Sequence, residues 1–295
     1  MSGGRAPFAV RPQGYQARMF APSDLDVLVP TKDRTGALAV TLAGLAAQTV
    51  SGFRVVISDQ SHEPVADDPL VAAQLRILDH RDRPAAVHRH LPPRGMAEQR
   101  AFLLGHAARR LALYLDDDVW LEPEAIEVLL SAIGELRCGF AGYALHGLSY
   151  RDDVRPAELA PYEEWPDGVR PERVRRESPA WRRHTLHNAS NPLHLAREHL
   201  GSPGPREWRP YKVAWIGGCV LYDRERLLEC GGFGFWRSVP PGHAGEDVVA
   251  QLRVMERYGG AGLLPSRAYH LELPTTVTDR RAECYDYVFE TAWAR

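Results

Sequence analysis

Apolar and polar positions alternate in blocks along the chain, and the blocks predict alternating strands and helices. Three short apolar runs end in a polar residue, as buried strands do: "DLDVLVPT", "FRVVISD" and "LALYLD". Residues 36–48 and the stretch "GMAEQRAFLLGHAARR" between these runs have apolar positions at helical spacing. A further strand is expected in "LRIL" or in "AAVHRHL". This alternation predicts an α/β fold with a mostly parallel, Rossmann-like central sheet flanked by helices.

The second half of the chain has a long interruption in this pattern. "EPEAIEVLLSAIGEL" predicts a helix and "CGFAGYAL" a strand, but residues 145–210 are rich in Pro, Arg, Trp and His and have little periodicity. After the interruption, "GGCVLYDRERLLECGGF" predicts strand, turn and helix, and "GEDVVAQLRVMERYGG" predicts a helix. "AGLLPSRAYHLELPTT" predicts a strand followed by a loop that contains His270.

These patterns divide one domain into four consecutive parts. We expect an N-terminal arm at 1–23, a regular half at 24–144, an irregular insertion at 145–210, and a second regular half with the C-terminal segment at 211–295. A segment as long as the insertion with no clear elements is usually functional or mobile.

Composition narrows the class of protein. The chain has 295 residues, of which 44% are hydrophobic and 25% charged, as in ordinary soluble globular proteins. The net charge of −2 gives no general attraction to nucleic acid. The scattered cysteines indicate reduced thiols and a cytoplasmic location, and no apolar stretch is long enough to span a bilayer. Peripheral association with the inner face of a membrane stays compatible with this composition.

Acidic residues follow two of the predicted strands directly. Asp59 ends one strand, and Asp116, Asp117 and Asp118 end another. Ligands bind at the carboxyl ends of strands in open parallel sheets, and adjacent buried carboxylates repel one another unless a cation lies among them. Mg²⁺ and Mn²⁺ take oxygen ligands, usually one or two carboxylates together with substrate phosphates. The pattern therefore predicts a metal and phosphate site, although the three aspartates could instead cap the helix that begins near Pro123.

The order of the motifs resembles family 2 glycosyltransferases of the GT-A fold. "VPTKDR", "LAGLAAQT", "FRVVISDQS", "YLDDDVWLEP", "GGCVLYDRERLLECGGF" and "GEDVVAQLRVMERYGG" follow one another as in that family, over residues 24–144 and 211–275. The resemblance implies a nucleotide-sugar donor, with a UDP-sugar favoured, and Mn²⁺ or Mg²⁺ as cofactor. The acceptor it implies is a glycan, a lipid-linked molecule or a small molecule. The resemblance also makes 24–144 the nucleotide-binding half and 211–295 the acceptor and catalytic half, and the insertion at 145–210, which departs most from the family's framework, is expected to select the acceptor.

The resemblance also implies which residues bind the nucleotide. Asp59 matches a carboxylate that accepts a hydrogen bond from the base, while Ser58 stands where the family has another carboxylate. "LDDD" matches the DxD motif, in which Asp116 or Asp117 would reach the ribose or a metal-bound water. The other residues expected to contact the nucleotide are Pro30, Thr31, Arg34, Arg94, Gly95 and Arg100.

The remaining expected roles concern the metal, the sugar and the acceptor. Asp118 would hold the metal, with Asp116 and His270 as further ligands. Asp247, with Glu246 beside it, matches the general base of inverting members of the family. Gly217 and Gly218 would allow the backbone to approach the donor sugar, and Trp215 would contact the sugar or the acceptor.

The residues favour a metal-dependent, inverting glycosyltransferase, and two other classes stay open. A nucleotidyltransferase shares a similar sheet and acidic site, but it would need a glycine-rich basic loop after the first strand, which "VPTKDRTG" resembles only weakly. A non-catalytic nucleotide-sugar-binding module would not need Asp118 and Asp247 together.

Overall fold

The computed structural model describes residues 19–290. Most of the predicted N-terminal arm, up to residue 18, lies outside the described residues, as do residues 291–295. Within the described range, no helix is long and apolar enough to cross a membrane.

A central sheet of eight strands organises the molecule in the order β3-β2-β1-β4-β8-β6-β10-β7. β8 runs antiparallel to its neighbours β4 and β6, and β7 runs antiparallel to β10, whereas every other neighbouring pair is parallel. The strands are β1 Leu25–Thr31, β2 Arg54–Asp59, β3 Ala85–Arg89, β4 Leu111–Leu115, β6 Phe140–Gly142, β7 Arg209–Tyr211, β8 Cys219–Asp223 and β10 Gly260–Leu264. The predicted mostly parallel sheet is confirmed.

Helices cover both faces of this sheet. The longer ones are α1 Thr35–Ala46, α2 Pro69–His80, α3 Met96–His106, α4 Ala125–Leu136, α6 Asn191–His199 and α8 Glu246–Tyr258, and the shorter ones are α5 Pro156–Leu159 and α7 Arg224–Glu229. Two separate apolar clusters form, one around Leu42 and Leu113 and the other around Leu103 and Tyr222. Alternate residues of β4 enter different clusters, because successive side chains of a strand point to opposite faces.

Local chemistry explains where α2 begins. Asp68 accepts hydrogen bonds from the backbone N–H groups of Leu70 and Val71, and Pro69 occupies the first helical position, where its missing N–H is not needed. Of the two segments proposed for the third strand, "LRIL" lies inside α2 and "AAVHR" forms β3. Leu78 of this segment faces the core, whereas Ile77 is exposed, as on different sides of an amphipathic helix.

Several elements differ from the predictions made for the second half. The insertion ends at β7 and contains α6 together with a 3-10 helix, Pro179–His187, so it holds more regular structure than predicted. His270 was predicted in a loop, but it is the last residue of β11, Ala268–His270. β11 pairs with β5, Val119–Leu121, directly after the three aspartates, and β9, His243–Ala244, pairs with β12, Ala282–Glu283.

Candidate active site

A cavity of about 590 Å³ opens where β1 and β4 end and α8 begins. Its lining includes most of the residues predicted from the sequence, namely Pro30, Thr31, Arg34, Arg100, Asp116, Asp117, Asp118, Gly217, Gly218, Glu246, Asp247 and His270. The parallel strands bring these distant segments to one edge of the sheet, where ligands bind in open α/β folds.

Asp117 is held by the end of β1. It accepts hydrogen bonds from Thr31 Oγ1 at 2.7 Å and from Arg34 Nη1 at 3.2 Å. Burial, together with the neighbouring Asp118, raises its pKa to about 6 against the pull of Thr31 and Arg34. Thr41 of α1 fixes the backbone here, because its hydroxyl donates to Asp117 O and accepts from the backbone N–H of Val119.

Asp118 lies between two basic side chains. Its Oδ2 is 2.7 Å from Arg34 Nη1 and 3.4 Å from His270 Nε2. These two partners outweigh burial and hold the pKa of Asp118 below its ordinary value, and the same contact raises the pKa of His270. Asp118 is therefore the most acidic member of the aspartate triplet and is available as an anionic ligand.

Arg100 connects the aspartates to the start of α8. Its Nε lies 2.9 Å from Glu246 Oε1 and its Nη2 lies 3.0 Å from Asp116 Oδ1. The guanidinium is buried over the ring of Tyr114, whose hydroxyl donates to the Arg100 carbonyl oxygen. Burial opposes its charge, but the surrounding carboxylates raise its pKa further above the ordinary value. The cation predicted to contact the nucleotide thus neutralises two acids from different parts of the chain.

Among residues 19–290, Asp247 has no cation as a direct partner. Its Oδ1 accepts from the backbone N–H of Val248 at 2.8 Å, and a Cβ on Gly217 would lie 3.9 Å from its Oδ2. Burial and the neighbouring Glu246 raise its pKa to about 7, while Arg100 acts in the opposite direction. A carboxylate with a pKa near neutrality is well matched to accepting a proton from a hydroxyl group.

Two of the three predicted metal ligands have the right spacing for one cation. Ligand atoms about 2.1 Å from an octahedral ion lie about 3 Å apart, close to the 3.4 Å between Asp118 Oδ2 and His270 Nε2. Asp116 instead pairs with Arg100, and residues 19–290 contain no group of three metal-binding side chains. A divalent ion held by Asp118 and His270 would need an unprotonated Nε2 on His270, whereas here Nε2 faces Asp118 as an ion-pair partner and Nδ1 accepts from the backbone N–H of Glu272. The other ligands of such an ion would be phosphate and water oxygens.

The two glycines before β8 have different environments. Gly218 has a φ of +77°, and a Cβ there would approach Leu145 Cδ1 to 2.4 Å. Its carbonyl oxygen accepts from the backbone N–H of Asp116 at 2.9 Å, which joins the glycine turn to the aspartates. In the described part of the chain, a Cβ on Gly217 would meet only Asp247 within 4 Å, so this glycine leaves space beside that carboxylate.

Four predicted residues lie outside the lining of the cavity. Asp59 is fully buried, and its oxygens accept from the N–H groups of Ser61 and Val65 and from Arg89. Arg94 is exposed, and Gly95, at φ +99°, lets the backbone near Pro241 pack against the start of α3. Trp215 stacks on His184, with ring centroids 5.3 Å apart and an interplanar angle of 3°.

The cavity also contains residues that the sequence did not indicate. They are Lys32, Met96, Gln99, His187, His243 and several residues of the segment from Leu273 to Glu283, including Arg280. His243 accepts from the backbone N–H of Ala97 through Nε2 at 3.0 Å, which holds β9 against α3. The C-terminal segment reaches the cavity partly through Arg34, which donates to the carbonyl oxygen of Pro274. Lys32, inside the motif "VPTKDR", and Gln99, directly before Arg100, carried a usable signal in the sequence.

Comparison with protein families identifies the chain. The model of Glycosyl transferase family 2 matches residues 26–199, which is more than half of the chain. The chain belongs to this glycosyltransferase family. The matched segment contains the three aspartates and Arg100, whereas Gly217, Asp247 and His270 follow it. Comparison with curated proteins gave no match.

Solved structures with a similar fold are themselves glycosyltransferases. TarS from S. aureus is 15% identical with a TM-score of 0.54, and the alignment covers 83% of this chain and 36% of TarS. The mannosyltransferase PcManGT from Pyrobaculum calidifontis, in complex with GDP-Man and Mn²⁺, is 16% identical with a TM-score of 0.51, over 92% of this chain and 62% of that protein. TarS 1–349 in complex with UDP-GlcNAc is 14% identical with a TM-score of 0.51, over 86% and 60%.

These similarities establish that this family 2 glycosyltransferase has the GT-A fold. The alignments span less than two thirds of the other chains. The acidic cavity at the strand ends is consistent with this fold and family. The family match favours a glycosyltransferase over a nucleotidyltransferase.

Proposed function

We propose that this protein transfers a sugar from a nucleoside-diphosphate donor to an acceptor hydroxyl with inversion at the anomeric carbon. The observation that carries the proposal is the placement of Asp247 in the same cavity as Asp116–Asp118. The two acidic groups correspond to the two needs of the reaction: a base for the acceptor and charge neutralisation for the diphosphate.

Asp247 acts as the general base. With a pKa near 7 it is substantially ionised at neutral pH and still basic enough to take the proton of the attacking hydroxyl. Gly217 leaves room beside it for the acceptor or the sugar. Because a single base activates one direct displacement, attack from the side opposite the diphosphate inverts the configuration. Arg100 positions Glu246 next to this base.

The opposite part of the cavity receives the diphosphate. Asp118 and His270 would hold a divalent cation, Mn²⁺ or Mg²⁺, and such an ion would supply charge neutralisation for the leaving diphosphate. Lys32 and Arg280, which also line the cavity, supply further positive charge. PcManGT, solved with GDP-Man and Mn²⁺, supports this arrangement by analogy of fold.

Our proposal for the donor and acceptor classes combines the lining of this cavity with the structural comparisons. We propose a UDP-sugar donor, as in the TarS complex with UDP-GlcNAc, and Pro30, Thr31 and Arg34 contact its nucleotide. The acceptor is a glycan, a lipid-linked molecule or a small molecule, and it enters past the insertion, where His187 lines the cavity and Trp215 lies nearby. The cytoplasmic location stays a prediction.

Asp247→Asn tests the catalytic part of the proposal. We expect donor affinity close to wild type, measured by calorimetry with a nucleotide sugar and Mn²⁺, and transfer or donor hydrolysis reduced about 10²–10⁴-fold. Asp152→Asn is the matched control, because Asp152 is exposed in the insertion. Near-normal turnover of Asp247→Asn would exclude this carboxylate as the base.

A thermal-shift screen tests the ligand class. Nucleoside diphosphates, triphosphates and nucleotide sugars are each added with Mn²⁺ and with chelator, since a ligand of the native state raises the melting temperature by mass action. We expect a metal-dependent shift with diphosphates and nucleotide sugars. Shifts with triphosphates alone would contradict the proposal, and binding without any turnover would favour a non-catalytic module.

A further inference from the structure

Gln99 has a fixed amide orientation at the base of the cavity. Its Nε2 lies 2.9 Å from Ser58 O, 3.3 Å from Ser58 Oγ and 3.4 Å from Thr31 O. Because two of these partners are carbonyl oxygens, which only accept, the atom that faces them must be the amide nitrogen. The amide oxygen of Gln99 is therefore the atom left for a ligand.

That oxygen is available within the described part of the chain. Gln99 lines the cavity, and among residues 19–290 no hydrogen bond to its Oε1 is formed. Oε1 is also absent from the set of fully buried atoms without partners, so it is accessible to a ligand in the cavity. An anchored amide with one free acceptor is a preorganised hydrogen-bonding group.

The position of Gln99 corresponds to the nucleoside end of the cavity. β2 and β1 lie on one side of β4, so Gln99, which bonds to the ends of β1 and β2, is separated from the aspartates that follow β4. A diphosphate at the aspartates leaves its nucleoside to extend toward β1 and β2. Met96, on the same helix as Gln99, adds apolar surface for a flat base.

We infer that Gln99 selects the nucleobase of the donor by accepting a hydrogen bond from the ring N–H of uracil through Oε1. This inference rests on the proposed function and assigns a specificity-determining residue. Ser58 supplies no carboxylate at this point of β2, and Asp59 is occupied by Ser61, Val65 and Arg89. Gln99 provides the acceptor that those positions do not.

The number of acceptors decides between the bases. Uracil presents a single ring N–H, at N3, between two carbonyl groups. Guanine presents an N–H and an adjacent amino group, and one amide oxygen would leave one of these donors unpaired. Adenine and cytosine have no ring N–H on the corresponding edge. A site built to pair one N–H therefore discriminates against the other bases by losing a buried hydrogen bond.

The test compares UDP with UDP methylated at N3, which cannot donate this hydrogen bond. We expect the wild-type protein with Mn²⁺ to bind UDP about tenfold or more tighter than the methylated nucleotide. In Gln99→Ala the ratio of the dissociation constants of N3-methyl-UDP and UDP should fall toward one. UDP loses its hydrogen bond to Gln99, and the smaller side chain leaves room for the methyl group. GDP and ADP should bind more weakly than UDP to the wild-type protein.

Glu98→Gln is the control on the same helix, because Glu98 contacts His90 and does not line the cavity. It should keep the wild-type ratio, and melting curves of both variants report whether they fold. The wild-type comparison stands even if Gln99→Ala does not fold. Equal binding of UDP and N3-methyl-UDP, an unchanged ratio in folded Gln99→Ala, or a preference for GDP would overturn the inference and leave the proposed function intact. Absence of binding by every nucleoside diphosphate would overturn the proposed function itself.

Discussion

At the scale of single residues, Asp247 links catalysis to stability. Its pKa is about 7 in the folded protein and about 3.9 in an unfolded chain. Between about pH 3.9 and pH 7 the folded state keeps a proton on Asp247 that the unfolded state has released. The stability that this protonated carboxyl contributes is therefore lost as the pH rises through this range. The ionised Asp247 beside Glu246 therefore destabilises the folded protein, as active-site residues often do.

This cost gives a pH-dependent prediction for Asp247→Asn. The variant should gain stability over wild type as the pH rises from 5 to 8, by roughly 1–3 kcal/mol at pH 8, because asparagine needs no ionisation. Urea unfolding at both pH values measures the free energies. An equal difference at pH 5 and pH 8 would contradict the raised pKa, and Asp152→Asn should follow wild type at both.

Arg100 gives a second prediction at this scale. Arg100→Met leaves the buried Glu246 and the partly exposed Asp116 without their cation, which should lower the free energy of unfolding by roughly 2–4 kcal/mol. Adding Glu246→Gln should restore part of this loss, since one unpaired charge is removed. Arg281→Met, at a fully exposed pair with Asp279, should change little. If Arg100→Met has the same free energy of unfolding in urea as wild type, the cluster of Arg100, Glu246 and Asp116 does not stabilise the fold.

At the scale of elements, the turn before β8 separates a structural glycine from a functional one. Gly218→Ala should destabilise the protein by roughly 1–3 kcal/mol, because its φ of +77° is strained for alanine and the added Cβ meets Leu145. Gly217→Ala should stay within about 0.5 kcal/mol of wild type but reduce transfer, because its Cβ enters the space beside Asp247. Urea unfolding and a transfer assay on the matched pair check both expectations. The same loss of stability in both variants would contradict the distinction.

At the scale of the whole molecule, the predicted halves share one sheet. β8, from the second half, pairs with both β4 and β6 of the first, so the nucleotide-binding half lacks a central strand on its own. A fragment of residues 19–144 should therefore expose apolar surface, bind a hydrophobic dye and show no cooperative urea transition, whereas the full chain shows one. Cooperative unfolding of the fragment would mean that residues 24–144 form an independent unit.

Much of the fold was predictable because its signals are local. The apolar runs of β1, β2 and β4 and the helical spacing of α1 and α8 are each contained in a short window. The sequence left two candidates for the third strand, "LRIL" and "AAVHRHL", because a short apolar run occurs in helices as well as in strands. β7 and α6 were missed because their residues gain their structure from packing against β10 and the rest of the insertion.

The strand–helix alternation and the acidic groups at strand ends are encoded locally, since both depend on neighbouring residues. Which of those acidic groups meet depends on how the strands and helices pack together. Arg100 reaches Glu246 across 146 positions, and His270 reaches Asp118 through the pairing of β11 with β5. Tertiary structure likewise brought Arg89 of β3 to Asp59 and Gln99 to the cavity. Long-range contacts of this kind follow from strand order and direction, which local periodicity does not encode.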